Sequence, residues 1–171
     1  MLLESITIPS FQTHFSYASF SCQFFLLKKS PLQVCEDVMK LNLLTGKPLK
    51  DLPDLLREYN LPPGLFPRNI TCYEFDQLKA KLIVYFPSAC EVTFKDSSVV
   101  RYATRVKGTL SRGKLTGIEG MKTKVLVWVK VTSVTVESYK SDKVLFTAGV
   151  KKSRAKDAYE IPSNAIKVEE F

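Results

Sequence analysis

The 171-residue chain is 45% apolar and 25% charged with a formal net charge of +8, the composition of a folded globular protein rather than a disordered one. A chain of this length buries a real core, and no apolar run in it approaches the ~20 residues that a membrane-spanning helix needs. Its four cysteines form no CxxC pair and its one histidine, His14, stands apart from them, so a structural zinc is excluded and no metal or cofactor is expected.

Met1 to Leu27 is a patchy apolar stretch rich in Phe and Ser. A secretory signal opens with basic residues ahead of its apolar run. Here Met-Leu-Leu-Glu opens the chain and Lys28-Lys29 follows the run, so a cytoplasmic or membrane-peripheral protein is expected ahead of a secreted one. From Ser30 to Leu44 the pattern turns helical. Leu32, Cys35, Val38 or Met39, and Asn42 or Leu43 recur at spacings of three and four, and Pro31 suits a first helical turn. Such a helix docks on the folded domain or on a membrane surface. Residues 1–48 form a variable leader, partly helical or disordered, and residues 49–171 the domain itself. Gly46-Lys47 is not a phosphate loop, because the glycine-rich run before it and the Ser or Thr after it are missing.

The clearest helix signal follows at Asp51 to Tyr59. Asp51 suits the N-cap and Pro53 the first turn, Leu52, Leu55, Leu56 and Tyr59 make one apolar stripe, and Pro62-Pro63-Gly64 ends it. After Pro67 the period changes to two. Strands are expected at 69–75, 79–86, 89–95, 99–110, 114–119, 122–137, 143–151 and 165–168, separated by Gly, Pro, Asp and Ser turns. The fold class is therefore mainly β, an antiparallel small barrel or sandwich of about 7–9 strands preceded by one or two short helices.

Lys122–Glu137 alternates Val125, Val127, Val129 and Val131 against Leu126 and Trp128, which predicts a strand buried on both faces at its centre. It is too long for one ordinary strand, so a bend is expected near Thr132-Ser133, and Trp128 is expected in the core. Gly149 marks another bend. Cys72 and Cys90 would be bridged if their strands are neighbours, but two reduced buried thiols are the favoured expectation.

The basic excess sits in the strands, because residues 61–156 hold 18 basic and 7 acidic side chains while residues 1–60 hold six of each. Such a field attracts anionic lipid, nucleic acid or acidic partners without choosing among them. Lysines also serve simply to keep sheet edges apart. Arg101 and Arg105 share a face with Val99 and Ala103, where they are solvated charges or, turned into a barrel mouth, an anion site. The run containing Lys151, Lys152, Arg154 and Lys156 suits contacts with phosphate groups or serves as a solvated loop. Aromatic residues interleaved with basic ones, as in single-strand nucleic-acid readers, are better explained here by core packing, so nucleic acid is disfavoured.

Catalytic triads and Cys–His dyads need a histidine near the nucleophile, and His14 lies outside the domain. No GxSxG elbow occurs, and no carboxylate pair stands out.

Leu55-Leu56-Arg57-Glu58-Tyr59 followed by Leu61-Pro62-Pro63-Gly64-Leu65-Phe66-Pro67 resembles the opening of the plant "domain of unknown function 538" family. Pro87 to Val92, Lys122 to Val129 and Val144 to Val150 resemble its later blocks, in order, across roughly residues 50–163. The resemblance implies a small β-barrel-like fold without an established activity. Proposals for the family include likeness to lipid-binding bactericidal proteins, hydrolysis of chlorophyll or lipid esters, and roles in stress and growth. Many members carry a signal peptide, whereas the basic segment Lys151–Lys156 resembles the non-secreted branch. Cys72 lies outside the family pattern, which weakens a bridge to Cys90. The expected function is a non-catalytic module for a lipid, an apolar ligand or an anionic membrane, with an esterase and a regulatory protein-interaction domain as alternatives.

Overall fold

The computed structural model describes residues 29–46 and 50–171. The apolar stretch before Lys28, His14 and Cys22 lie outside the described residues. Two helices, α1 (Pro31–Thr45) and α2 (Leu52–Glu58), precede ten antiparallel strands. The strands are β1 (Cys72–Asp76), β2 (Lys81–Tyr85), β3 (Cys90–Thr93), β4 (Val99–Ser111) and β5 (Lys114–Lys124). They continue as β6 (Trp128–Lys130), β7 (Ser133–Thr135), β8 (Lys143–Ala148), β9 (Val150–Ala155) and β10 (Ile166–Lys167).

The helices start where the sequence places them, α1 at Pro31 and α2 after Asp51. Ser30 accepts a bond from the Gln33 N–H with Pro31 in the first turn of α1. Asp51 holds the N-cap position of α2, but its side chain makes no capping bond; its backbone oxygen accepts from the N–H groups of Asp54 and Leu55. Leu52, Leu55 and Leu56 form the buried stripe that seats this short helix on the sheet.

The strands make one sheet in the order β1-β2-β4-β5-β7-β8-β9, with β3 and β10 continuing beside the first half of β4 and β6 beside the end of β5. It curls without closing. Long β4 and β5 pair with each other, and each serves two further partners along its other edge, β2 and β3 for β4 and β6 and β7 for β5. The register between them shifts between Tyr102 and Lys107, where the sheet bends. The interior is filled by Tyr102, Tyr159, Phe86, Phe146 and surrounding Leu and Val side chains. Tyr102 donates its buried hydroxyl to the Leu65 carbonyl at 2.6 Å, fixing the Pro63–Leu65 turn against β4. Gly64 is required in that turn, because a Cβ there would lie 2.6 Å from backbone atoms of Tyr159 and Ile161.

Three expectations are corrected. The 122–137 segment is not one strand buried on both faces. β5 ends at Lys124, Val125 to Val127 form an exposed turn, and two short strands follow. Trp128 is half-buried beneath Arg101 rather than in the core. The basic run 151–156 is a strand rather than a loop, because Gly149 adopts a φ of 75° and folds β9 back along β8 in register. These breaks raise the strand count above the expected range.

The cysteine pairing also differs. Cys35 and Cys72 form a disulfide with their Cα atoms 5.6 Å apart, and Cys90 is a free buried thiol. The bridge forms because α1 docks on the outer face of β1 and β2, where Cys35 and Val34 pack against Cys72, Ile83 and Tyr85. β2 is buried on both faces for this reason, with Leu82 and Val84 in the main core. Leu32, Met39, Leu41, Leu43 and Leu44 of α1 are exposed.

Candidate functional site

The β5–β6 hairpin ends in an apolar tip. Thr123 pairs with Val129 and Lys124 with Trp128, and the Val125 N–H donates to the Val127 carbonyl at 3.1 Å to close the turn. None of the usual turn residues is present. Leu126 is 92% exposed and Val127 68% exposed, and Lys122, Lys124 and Lys130 flank them on the two arms. Large aliphatic side chains at a tip are costly in water unless something covers them.

The base of the hairpin is braced. Arg101 stacks its guanidinium 4.0 Å above the Trp128 ring and donates Nε to Glu91 at 2.7 Å. Lys122 lies 4.3 Å from the Phe171 ring. Such cation–π contacts hold the arms while leaving the tip free.

Beside the hairpin lies an open cleft of about 440 Å³, walled by the Asp96–Ser98 turn, Lys124 and Val125 of the hairpin, and Lys152 to Ala155 of β9. Arg154 is 7% exposed within this wall. Its Nη1 donates to the Tyr159 hydroxyl and its Nη2 to Thr123 Oγ1, both at 2.9 Å, and its guanidinium lies 4.7 Å from the Phe146 ring. Thr123 in turn donates to the Val99 carbonyl. The Arg154 Nε is buried without an acceptor among the described residues.

The polarity of this network follows from its members. Arg154 only donates, so the Tyr159 oxygen accepts from it and the phenol hydrogen goes onward, to Ser98 Oγ at 2.6 Å or Asp96 Oδ2 at 3.2 Å. Ser98 passes its own hydrogen to Asp96 Oδ1 at 2.5 Å. Burial pushes the Tyr159 phenol above its ordinary value, against the lowering effects of Ser98 and Arg154, so the relay stays protonated at neutral pH.

The six sequence-predicted site residues do not converge. Lys152 and Arg154 line the cleft. Lys151 is exposed on the same strand, and Arg105 is exposed farther along β4. Arg101 is committed to Glu91 and Trp128. Lys156 lines a different cleft with Asp142, Asp157 and Glu160. Leu126, Lys124, Ser98, Thr123 and Tyr159 were not singled out as site residues from sequence. The tip carried a signal in its unbroken aliphatic run, whereas Ser98 and Tyr159 meet Arg154 only through the tertiary fold.

Cys90 is buried and its thiol is pushed up to about 11 by desolvation, which marks it as a packing residue rather than a nucleophile. Among the described residues, no group of three or more His, Cys, Asp and Glu side chains is placed to hold a metal ion.

Comparison with known proteins places these features in a family. An uncharacterized Arabidopsis thaliana protein, At5g01610, is 54% identical over 130 residues, covering 76% of this chain and 75% of its own. Residues 52–160, from α2 to just past Tyr159, match the profile described as "Protein of unknown function, DUF538". With that match spanning most of the chain, from the leucine helix through the hairpin and the Arg154 network, the protein belongs to the DUF538 family.

Proposed function

We propose that this protein is a non-catalytic module that docks on anionic membrane surfaces, leading with the hairpin tip at Val125-Leu126-Val127. The observation that carries the reading is the pairing of that exposed aliphatic tip with Lys122, Lys124 and Lys130 on its arms. Burying one leucine in the acyl boundary is worth about 1.5–3 kcal/mol, and each lysine close to an anionic surface adds about 1 kcal/mol. Together they supply a useful affinity without any enclosed ligand. The side-chain-filled interior supports surface docking over a lipid carried inside the fold. A hydrolytic role finds less support, because Cys90 is buried and residues 29–171 contain no histidine.

Co-sedimentation of the full chain with vesicles tests this. Recovery is expected to be high with anionic vesicles at low salt, to fall as salt screens the lysines, and to be small with neutral vesicles. Equal recovery from neutral and anionic vesicles at every salt concentration overturns the reading.

A further inference from the structure

We propose that the cleft between the Asp96–Ser98 turn and β9 is a binding site for a phosphate monoester group, held by Arg154, Lys124 and Lys152. The proposal goes beyond membrane docking, since a soluble phosphate ester meets the same chemistry without any bilayer.

The first support is the condition of Arg154. A buried charge is ordinarily paired with an opposite one. Arg154 has no carboxylate within ion-pairing distance among the described residues, and its two bonded nitrogens rest on neutral hydroxyls. Its Nε has no acceptor among the described residues. The group is also held rigidly by Tyr159, Thr123 and Phe146, so an arriving anion orders little that is not already ordered.

The second support is the charge balance of the walls. Lys124, Lys152 and Arg154 face one carboxylate, Asp96. Lys152 has no ion pair among the described residues, and Lys124 makes only a 5.9 Å approach to the Trp128 ring. Asp96 is already engaged, with Oδ1 accepting from the Ser98 backbone and hydroxyl and Oδ2 lying 3.2 Å from the Tyr159 hydroxyl. The cleft thus presents an excess of two positive charges. A monoester matches it with a near-dianion and three terminal oxygens, whereas a diester offers one charge and two such oxygens. Ser153 adds an exposed hydroxyl on the same wall.

The group has two sources, a phosphatidic-acid-type headgroup or a soluble phosphate ester. Lys124 and Val125 belong to both cleft and tip, which puts a headgroup within the site's reach when the tip is inserted.

The test uses the full chain and two readouts. The first is the Arg154 Nε–H resonance during titration with glycerol 3-phosphate. The second is binding to phosphatidylcholine vesicles carrying phosphatidic acid or phosphatidylserine, matched for zeta potential. A saturable Nε–H shift is expected, with about fivefold tighter binding to the phosphatidic acid vesicles that Lys152→Gln abolishes. Lys152 is exposed, so that variant folds. A shift without vesicle preference supports the site with a soluble ligand. A vesicle preference lost in Lys152→Gln supports it with a lipid one. No saturable shift together with no preference, or a preference that Lys152→Gln leaves intact, overturns the proposal. Leu126→Asp separates the two readings: it removes vesicle binding of both kinds if the hairpin reading is right, and leaves the glycerol phosphate titration unchanged.

Discussion

Arg154 donates to the Tyr159 hydroxyl at 2.9 Å, joining the last long strand to the C-terminal turn that also packs under Gly64. Removing that hydroxyl leaves a buried guanidinium nitrogen without an acceptor. Tyr159→Phe is therefore expected to cost about 3 kcal/mol, the upper part of the range for an orphaned buried donor. Urea unfolding checks it, with a lower midpoint and an unchanged slope. Arg154→Met, which removes charge and demand together, is expected to cost less.

This pair also marks the limit of what the sequence made legible. The alternation of apolar positions located nearly every strand, Pro31 and the spacing of three and four placed α1, and Asp51 with its leucine stripe placed α2. Alternation fails at Val125-Leu126-Val127, because a β turn there uses no Gly, Pro, Asn or Asp, and a Val-rich turn looks like a strand. Arg154 sits in a run of exposed cations, and only its tertiary partners Thr123, Phe146 and Tyr159 turn it inward. Cys35 and Cys72 are 37 residues apart, and nothing local indicates that α1 docks on β1 and β2.

The disulfide is expected to be the main fastening of α1. A link across 37 residues removes unfolded-chain entropy worth up to about 4 kcal/mol. Among the described residues, the buried apolar packing of this leucine-exposing helix is a small patch around Val34 and Cys35. Reduction, or Cys35→Ser without reductant, is expected to speed tryptic cleavage at Lys40 while residues 50–171 stay resistant. Unchanged cleavage at Lys40 would count against this role.

Alkaline pH is expected to unfold the domain through its tyrosines. Tyr85 is pushed up to about 12, chiefly by burial and then by its bond to Glu74, and burial raises Tyr73, Tyr102 and Tyr159 as well. A folded-state value above the ordinary 10.0 means that the folded chain holds these protons more tightly. Their stabilisation is complete below about pH 10 and is lost as pH rises through the folded-state values. Tyrosinate absorbance is expected to lag behind that of the urea-unfolded chain and to rise together with loss of structure. Full titration of all seven tyrosines in the folded state near pH 10 would contradict it.

Gly64→Ala is expected to disturb the same corner from the other side. The added carbon would meet the Tyr159 and Ile161 backbones at 2.6 Å, where no flexible side chain can give way. A loss of about 3 kcal/mol is expected, the upper end for overpacking. Because the displaced turn carries Tyr159, the double variant with Tyr159→Phe is expected to lose less than the two single losses combined. Additive losses in urea titrations would show that the two contacts are independent.

The hairpin tip offers a test in which stability and binding separate. Leu126 is 92% exposed and makes no core contact, so Leu126→Asp is expected to leave stability within about 0.5 kcal/mol. Its effect on anionic vesicles is expected to be large. The transfer of one leucine is worth about 1.5–3 kcal/mol, so losing it weakens binding roughly tenfold to a hundredfold before repulsion of the new carboxylate is counted. The chain carries its own reporter, since Trp128 is its one tryptophan and sits two residues from Leu126, half-buried beneath Arg101. On vesicle binding its emission is expected to shift to the blue as the neighbouring turn leaves water, and Leu126→Asp is expected to abolish the shift. Raising salt is expected to reduce binding by the wild-type chain more than it alters Trp128 emission in the vesicle-free protein, because screening acts on the lysines and not on the stacked Arg101–Trp128 pair. A blue shift that persists in Leu126→Asp would mean that the membrane meets another face of the sheet.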